Sequence, residues 1–275
     1  MSFRGFTFLY RSLAAFGLVL LCGAACGVAE QPTPAAVAAY NTYISSIESR
    51  LAGQHRARPG FVAASDPARD QRLRGGELII EKITPPAGTD LPGTTMPGAM
   101  LHHWRGTAFA PGAKVADFER LLMDFSAYPQ HYAPQVTQAR LLSKQGDGSL
   151  VQMRVRQKHV ITVVMDIAYD IGFGRLDAQH GYSTSRSTRI AEIDSPGSGS
   201  ERALSGDEEH GYLWRLNSYW SYEERDGGLY MQIESVSLTR DVPRGLGWAI
   251  GPFVESVPRE SLEFTLRSTC NALRR

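Results

Sequence analysis

The chain has 275 residues, of which 43% are hydrophobic and 21% are charged, which is enough apolar material for one sizeable core with an appendage. Lysine and arginine total 29 against 28 for aspartate and glutamate, so the formal net charge is +1. A balance this close to neutral excludes the basic stripe of a nucleic-acid-binding surface and gives no support to docking on a membrane through clustered positive charge.

The first residues have the features of a secretory signal peptide. Arg4 and Arg11 precede an apolar run from Leu13 to Leu21, and small residues follow up to Ala29. The run is shorter than the roughly 20 residues that a comfortable bilayer span needs. We therefore predict a signal peptide over residues 1–29 and export to the periplasm or cell envelope. The alternative is an uncleaved N-terminal membrane anchor.

Cysteine usage agrees with export. Cys22 and Cys26 fall within the predicted signal peptide, so the mature chain keeps only Cys270. A single cysteine forms no intrachain disulfide, and burial alone must then hold the fold together. We interpret Cys270 as a small apolar filler on the inner side of a helix.

Residues 30–97 read as an extension that precedes the main domain. Apolar residues recur at spacings of three and four over residues 35–55, which predicts an amphipathic helix. The arginine-rich stretch 56–74 is interrupted by proline, and we predict an irregular connection there. A short strand is predicted over 76–83, followed by a loop rich in proline and glycine. The role of this extension stays open at this point.

The main domain is predicted to cover residues 98–275. It starts with a strand near Leu101, and the spacing of apolar residues predicts a helix over 114–125. Alternation of apolar and polar residues predicts further strands over 136–143, 150–158 and 181–193. The run over 160–173 is apolar on both faces in its first half, which predicts a central strand. An acidic, polar loop over 195–211 separates these strands from the last part of the chain.

The last part of the chain, from Tyr212 to Leu273, combines a hairpin with a helix. Two extended runs are joined by Asp226-Gly227-Gly228, and glycine supplies the positive φ that a tight turn requires. After a break rich in proline and glycine, apolar residues take up helical spacing as far as Leu273. A long hairpin followed by one amphipathic helix indicates a curved antiparallel sheet that grips a helix.

Three stretches resemble the START/SRPBCC superfamily, whose members have the helix-grip fold. They are VADFERLLMDFSAYPQHYAPQV, LNSYWSYEERDGG and SLTRDVPRGLGWAIGPFVESVPRESL, and the resemblance covers roughly Leu101–Leu273. It implies an α+β helix-grip fold, a curved antiparallel sheet wrapped around a long C-terminal helix, here with an added N-terminal helical extension. The superfamily shares few chemical residues, so the resemblance speaks to fold more than to function.

The resemblance also implies a cavity between the sheet and the C-terminal helix for a hydrophobic small molecule such as a lipid, an isoprenoid or a polyketide-like compound. Ligand exchange would then bring the protein close to a membrane. The alternative is that the same residues fill a solid core, because both have the same composition. The expected ligand-binding residues are Met153, Val155, Val163, Met165, Trp214, Tyr219, Trp220, Met231, Ile233, Leu262 and Leu266.

Two other function classes stay open. One is an enzyme of the cyclase or dehydratase type, for which the candidate catalytic residues are Arg154, His159, Asp166 and Tyr219. The other is an envelope protein-interaction module that uses the N-terminal helix as a docking arm. The leading hypothesis is a binding module without catalysis, because no catalytic constellation is visible in the sequence.

No cofactor or metal is expected. His102 and His103 are adjacent in a predicted strand and point to opposite faces, so they do not bind one ion together. The chain has no nucleotide-binding glycine pattern and no nucleophile motif. The expected partner is therefore a hydrophobic small molecule rather than nucleic acid, and the oligomeric state stays open.

Overall fold

The computed structural model describes residues 31–57, 60–62, 66–84, 98–146, 148–158, 162–241 and 247–274. The helices are α1 Pro34–Arg56, α2 Pro67–Arg74, α3 Val115–Met123, α4 Tyr128–His131 and α5 Gly247–Leu273. The strands are β1 Ile79–Lys82, β2 Ala99–Pro111, β3 Val136–Gln145, β4 Gly148–Lys158, β5 Thr162–Arg175, β6 His180–Asp194, β7 Arg202–Ala203, β8 Arg215–Arg225 and β9 Gly228–Arg240.

The nine described strands form one antiparallel sheet. Eight of them follow the order β1-β2-β9-β8-β6-β5-β4-β3, and β7 pairs with β6 beside this path. The predicted hairpin is confirmed as β8–β9, where Asp226 has φ 54° and Gly227 has φ 75° at the two turn positions. Positive φ at both positions matches the right-handed twist of the flanking strands. The curved sheet and its C-terminal helix confirm the predicted helix-grip architecture.

The predicted irregular connection over 56–74 is corrected in its second half, where the chain forms α2. The Asp66 side chain caps the helix by accepting a hydrogen bond from the Arg69 N–H at 2.9 Å, and Pro67 occupies the first helical position. One of the prolines that we took as interruptions of this stretch, Pro67, therefore belongs to a helix start. The predicted N-terminal helix is confirmed as α1, which runs past Gly53 to Arg56.

The sheet has an inner face, defined as the side that contacts α5, and an outer face on the opposite side. The helix α5 packs chiefly on β2, with smaller contacts to β1, β9, α3 and α4. Gly106 of β2 lies directly beneath the helix: a Cβ atom at this position would lie 2.6 Å from Leu266 Cδ1 and 3.2 Å from Leu262. The absence of a side chain at Gly106 therefore lets α5 approach the sheet closely.

Gly106→Val is expected to lower the free energy of unfolding by about 1–3 kcal/mol, because the added methyl groups overpack the contact with Leu266. Valine is favoured in strands, so the loss reports on the clash with α5 and not on strand propensity. Urea denaturation measures it. Gly53→Ala serves as the control, since nothing lies within 4 Å of a Cβ there and alanine favours a helix. Equal stability of Gly106→Val and the parent would contradict the close packing of α5 on β2 at this position.

The N-terminal segment packs on the outer face and also joins the sheet. One side of α1 covers apolar residues of β8 and β9, and β1 extends the sheet next to β2. The buried residues of this seam are Ala36, Ala39, Tyr40, Tyr43, Ile44, Ile47 and Leu51 of α1 with Ala99, Trp214, Tyr219, Val236 and Leu238. The sheet is thus covered by helices on both faces, which decides where buried and accessible side chains lie.

Candidate functional site

The space between the inner face and the C-terminal part of α5 is filled by the protein itself. Leu266 is 0% exposed and Leu262 is 3% exposed. They belong to one cluster with Trp104, Ala108, Trp220, Met231, Ile233 and Cys270. Five of the predicted ligand-binding residues thus lie in a packed core: Trp220, Met231, Ile233, Leu262 and Leu266. For this half of the interior, the solid-core alternative describes the arrangement.

The inner face of β4 and β5 is different, because its apolar side chains keep partial exposure. Met153, Val155 and Val163 are half-buried, and Met165 beside them is buried. These four predicted residues lie together, since Met153 pairs with Ile167 and Val155 with Met165 across the two strands. Other half-buried apolar residues adjoin the same cluster: Val136, Ala139, Ile190, Leu213, Leu216 and Phe264. The structure thus contains an incompletely covered apolar surface that faces inward.

Polar side chains link α5 to one end of this apolar surface. Gln157 Nε2 donates a hydrogen bond to Ser261 Oγ at 2.7 Å, and Ser261 Oγ lies 3.4 Å from Gln135 Oε1. A depression of about 190 Å³ lies here, lined by Pro134, Gln135, Arg156, Gln157, Lys158 and Glu260. The edge of the apolar surface is therefore polar and open to solvent, as the rim of a ligand site requires.

Tyrosine hydroxyl groups are the deeper polar features of the interior. Tyr132 and Thr269 share a hydrogen bond at 3.0 Å, and burial raises the pKa of Tyr132 to about 12. Tyr169 is 7% exposed, and its hydroxyl makes no hydrogen bond within the described residues. Burial raises the pKa of Tyr169 as well. Both phenols are neutral at pH 7 and can act as hydrogen-bond donors.

Trp214 and Tyr219 lie on the outer face, which corrects the expectation that they line the same wall as Trp220. Tyr219 belongs to the seam with α1, donates a hydrogen bond to Glu48 at 2.9 Å, and accepts one from Asn217 at 3.1 Å. Neighbouring residues of a strand point to opposite faces, and the pairing of Trp220 with Ile233 turns Trp220 inward. Tyr219 is therefore turned away from the interior.

The three described candidate catalytic residues, Arg154, Asp166 and Tyr219, do not converge on the interior. Arg154 pairs with Asp166 through bonds of 2.7 and 2.9 Å and with Glu201 at 2.6 Å. These two candidates alternate with the inward Met153 and Met165, so their side chains belong to the outer face. Tyr219 is bound to Glu48, and His159 lies outside the described residues. Arg154 and Asp166 bind each other, so the charged groups that proton transfer would need are already engaged in an ion pair.

A buried charge cluster lies on the outer face beneath α1, and the sequence analysis missed it as a unit. Glu234 is 0% exposed and accepts hydrogen bonds from Arg105 Nε at 3.1 Å, from His103 Nε2 at 3.0 Å and from Arg50 of α1. Tyr43 donates to His103 Nδ1 at 2.7 Å, which leaves the Nε2 proton for Glu234. The cluster therefore ties α1 to the sheet.

The charges of this cluster depend on one another. Burial alone raises the pKa of Glu234, but the hydrogen bond from His103 and the positive charges of Arg50 and Arg105 outweigh it and lower the pKa to about 2. Burial lowers the pKa of His103 and outweighs its hydrogen bond to Glu234. At pH 7 the cluster thus holds a carboxylate, two guanidinium groups and a neutral imidazole, an arrangement that suits a structural contact.

A second depression, of about 350 Å³, lies where β1 meets α5. Its lining is Arg72, Gly76, Glu77, Leu78, Ile79, Ile80, Arg259, Glu263 and Arg267. Two of its arginines are paired within the depression, Arg72 with Glu77 and Arg267 with Glu263. Mixed exposed charges with internal pairing do not build a specific anion site.

The described residues contain no cluster of three or more His, Cys, Asp or Glu side chains that could hold a metal ion. His102 lies on the inner face next to Thr239, whereas His103 lies on the outer face in the cluster of Glu234, as predicted for adjacent residues of a strand. Cys270 is buried, and burial raises the pKa of its thiol. None of the described helices is long and apolar enough to span a bilayer.

Comparison with known proteins gives neither a matching family model nor a matching curated protein. Similar solved structures include a START superfamily protein from Mycobacterium smegmatis, with 14% identity and a TM-score of 0.41 over 62% of this chain and 97% of that one. The STAR-related lipid transfer protein from Xanthomonas axonopodis has 15% identity and a TM-score of 0.43 over 71% and 99%.

The Zhui aromatase/cyclase from Streptomyces sp. R1128 is also similar, with 11% identity and a TM-score of 0.45 over 64% of this chain and 94% of that one. TM-scores below 0.5 carry no weight for the fold of this chain. Its fold is established by its own strand order, register and helix placement, as described above.

Proposed function

We propose that this protein binds and carries a hydrophobic small molecule between the inner face of β4, β5, β6 and β8 and the helix α5. The observation that supports it is the incompletely covered apolar surface that includes Met153, Val155, Val163 and Leu216. All four strands lie inside the sheet, whose edge strands are β1 and β3. Apolar side chains on the inner face of such strands are normally buried by neighbouring side chains.

A guest molecule supplies the missing contacts. Removing apolar area from water stabilises a complex by roughly 25 cal/mol per Å², and this surface offers such area from at least four elements, β4, β5, β8 and α5. The rim at Gln157 and Ser261 is polar and marks an open edge of the apolar surface. A ligand enters at this edge and places its apolar part between the sheet and α5. The placement of Arg154, Asp166 and Tyr219 on the outer face gives a binding role more support than a catalytic role.

The neutral apolar dye Nile red tests this proposal. The purified protein is expected to bind it with a rise in fluorescence, and Val155→Trp, which fills the space above β4, is expected to weaken binding at least about tenfold, equivalent to about 1.4 kcal/mol. Gln152→Trp is the matched control, since it lies on the same strand and points to the outer face. A melting temperature for each variant shows that it is folded.

The results of this test distinguish an error in the location of the site from an error in the proposed function. Tight Nile red binding by Val155→Trp, with an unchanged melting temperature, would overturn the location of the site. Failure of the parent protein to bind Nile red, together with no ligand mass retained in native mass spectrometry, would overturn the proposal itself. Export of the protein stays a prediction, because residues 1–29 lie outside the described residues.

A further inference from the structure

A band of serines crosses the middle of the inner face. Ser185 of β6 pairs with Ser218 of β8, and Ser218 pairs with Ser235 of β9, so the three lie in one row across adjacent strands. Neighbouring strands are about 4.8 Å apart, and the three hydroxyl groups therefore span about 10 Å. We call these three residues the serine band.

The register places the serine band on the inner face. Trp220 and Ile233, two positions along β8 and β9 from Ser218 and Ser235, pack in the core cluster beneath α5. Alternate residues of a strand share a face, so the serines share the inner face with Trp220 and Ile233. The row continues to Ile171 on one side and to Trp104 on the other.

The hydroxyl groups of the serine band are accessible and unused. Ser185, Ser218 and Ser235 are each half-buried, although all three lie in the interior of the sheet. Their side chains make no hydrogen bond with other described residues. A small side chain leaves room above it, and an unused hydroxyl group offers both a donor and an acceptor. The band thus combines space with hydrogen-bonding capacity.

Two further polar groups lie beside the band. Trp104 is 9% exposed, it pairs with Ser235, and its buried Nε1–H has no hydrogen-bond partner among the described residues. Tyr169, in the row next to the band opposite Ser187, is 7% exposed, and no hydrogen bond joins its hydroxyl group to another described residue. A buried polar group without a partner, such as the Trp104 Nε1–H, is uncommon and destabilising. Both groups can donate a hydrogen bond to an oxygen acceptor.

The sheet wall around the band carries no acidic side chain and no lysine or arginine. The three rows formed by the band and its neighbours contain only uncharged side chains and one histidine, His102: Phe173, Ser183, Trp220, Ile233 and Gly106; Ile171, Ser185, Ser218, Ser235 and Trp104; Tyr169, Ser187, Leu216, Ser237 and His102. A carboxylate or phosphate buried against this wall would find no lysine or arginine among these sheet residues, and burial of an unpaired charge is costly.

We infer that the serine band, with Trp104 at one end and Tyr169 in the neighbouring row, is a subsite for uncharged oxygen groups of an elongated and otherwise apolar ligand. This inference rests on the proposed function and specifies it: the ligand carries hydroxyl or keto oxygens along its length, and it is not a molecule with a single charged head group and a plain hydrocarbon body. The apolar surface of β4 and β5 would then hold the part of the ligand that lacks oxygen.

Two steroids with the same rigid skeleton test the inference: 5α-androstane-3,17-dione, which has two keto oxygens, and the hydrocarbon 5α-androstane. Both are titrated as competitors of Nile red on the full chain. Ser218→Ala is expected to weaken the dione about fivefold, the effect of one lost hydrogen bond of about 1 kcal/mol, and Ser185→Ala with Ser218→Ala together about twentyfold. The hydrocarbon is expected to bind these variants as tightly as the parent, or more tightly.

Ser221→Ala is the matched control. It is on the same strand, but its hydroxyl group lies on the outer face at 2.8 Å from His55 Nε2, so both steroids should bind it as they bind the parent. Equal effects of Ser218→Ala on the two steroids, or no effect on either, would overturn the subsite while leaving the carrier function in place. Displacement of Nile red by neither steroid would also overturn the subsite, and absence of Nile red binding would overturn the proposed function with it.

Discussion

A chain that begins at Gly60, and so lacks α1, is expected to be unfolded or aggregated at 25 °C. Tyr40, Tyr43, Ile44, Ile47 and Leu51 are each at most 8% exposed in the seam with the outer face. Burial of such side chains contributes about 1.5–3 kcal/mol each, so together they contribute on the order of 10 kcal/mol. This is comparable to the entire stability of an ordinary domain, about 5–15 kcal/mol.

Circular dichroism and size-exclusion chromatography measure this outcome, with a chain that begins at Gln31 as the control. The control keeps the whole of α1 and is expected to behave as a folded protein. The experiment also decides between two roles of the N-terminal segment. A helix that serves only as a docking arm for another protein is dispensable for folding, and a cooperative melt of the shorter chain within a few degrees of the control would establish that role.

Glu234→Ala is expected to lower the free energy of unfolding by about 3–5 kcal/mol, because it leaves Arg105 and the buried His103 without the carboxylate that they contact. The positive charge of Arg50 at the seam loses its partner as well. Urea denaturation at pH 7 measures the loss. Glu263→Gln is the control, since it breaks an exposed ion pair with Arg267 and should cost less than about 0.5 kcal/mol.

The pH dependence of this loss gives an independent check. The carboxylate has a pKa of about 2 in the folded protein, below the value of about 4.3 of an unfolded chain. A lowered folded pKa contributes stability above the unfolded pKa, and that contribution disappears as the pH falls towards 2. The difference in stability between the parent and Glu234→Ala should therefore shrink from pH 5 downwards. A difference that stays constant over this range would contradict the ionised state of Glu234.

Much of the architecture could be predicted from local patterns. Period-two alternation locates the strands, and Asp226-Gly227 determines a tight hairpin because only such residues adopt two successive positive φ values easily. Helical spacing predicted α1 and the end of α5. The prediction of an irregular connection before β1 was wrong in its second half. Asp66 and Pro67 occur equally well in a loop and at a helix start, and only the contacts of the residues that follow them decide between the two.

The candidate site could be predicted only in part. Alternation requires Tyr219 and Trp220 to point to opposite faces, but it does not say which of them points to α5. The face to which each residue points is decided by the register of β8 against β9 and by the positions at which α1 and α5 pack on the sheet. These contacts turn Trp220 inward. The serine band had a visible sign in the alternate serines Ser183, Ser185 and Ser187, yet its hydroxyl groups gain significance only when Ser218 and Ser235 join them from two other strands.

The amino-acid sequence by itself determined the elements of this protein, the two-sided character of each strand and the need of each amphipathic helix for an apolar partner. Those properties depend on residues a few positions apart, whose relative geometry the backbone dictates. Only the tertiary structure decided which partner each helix takes, that Arg50 meets Glu234, and which inward side chains stay uncovered. Such contacts join residues that are far apart in the chain, and they depend on the packing of whole elements, which no local pattern specifies.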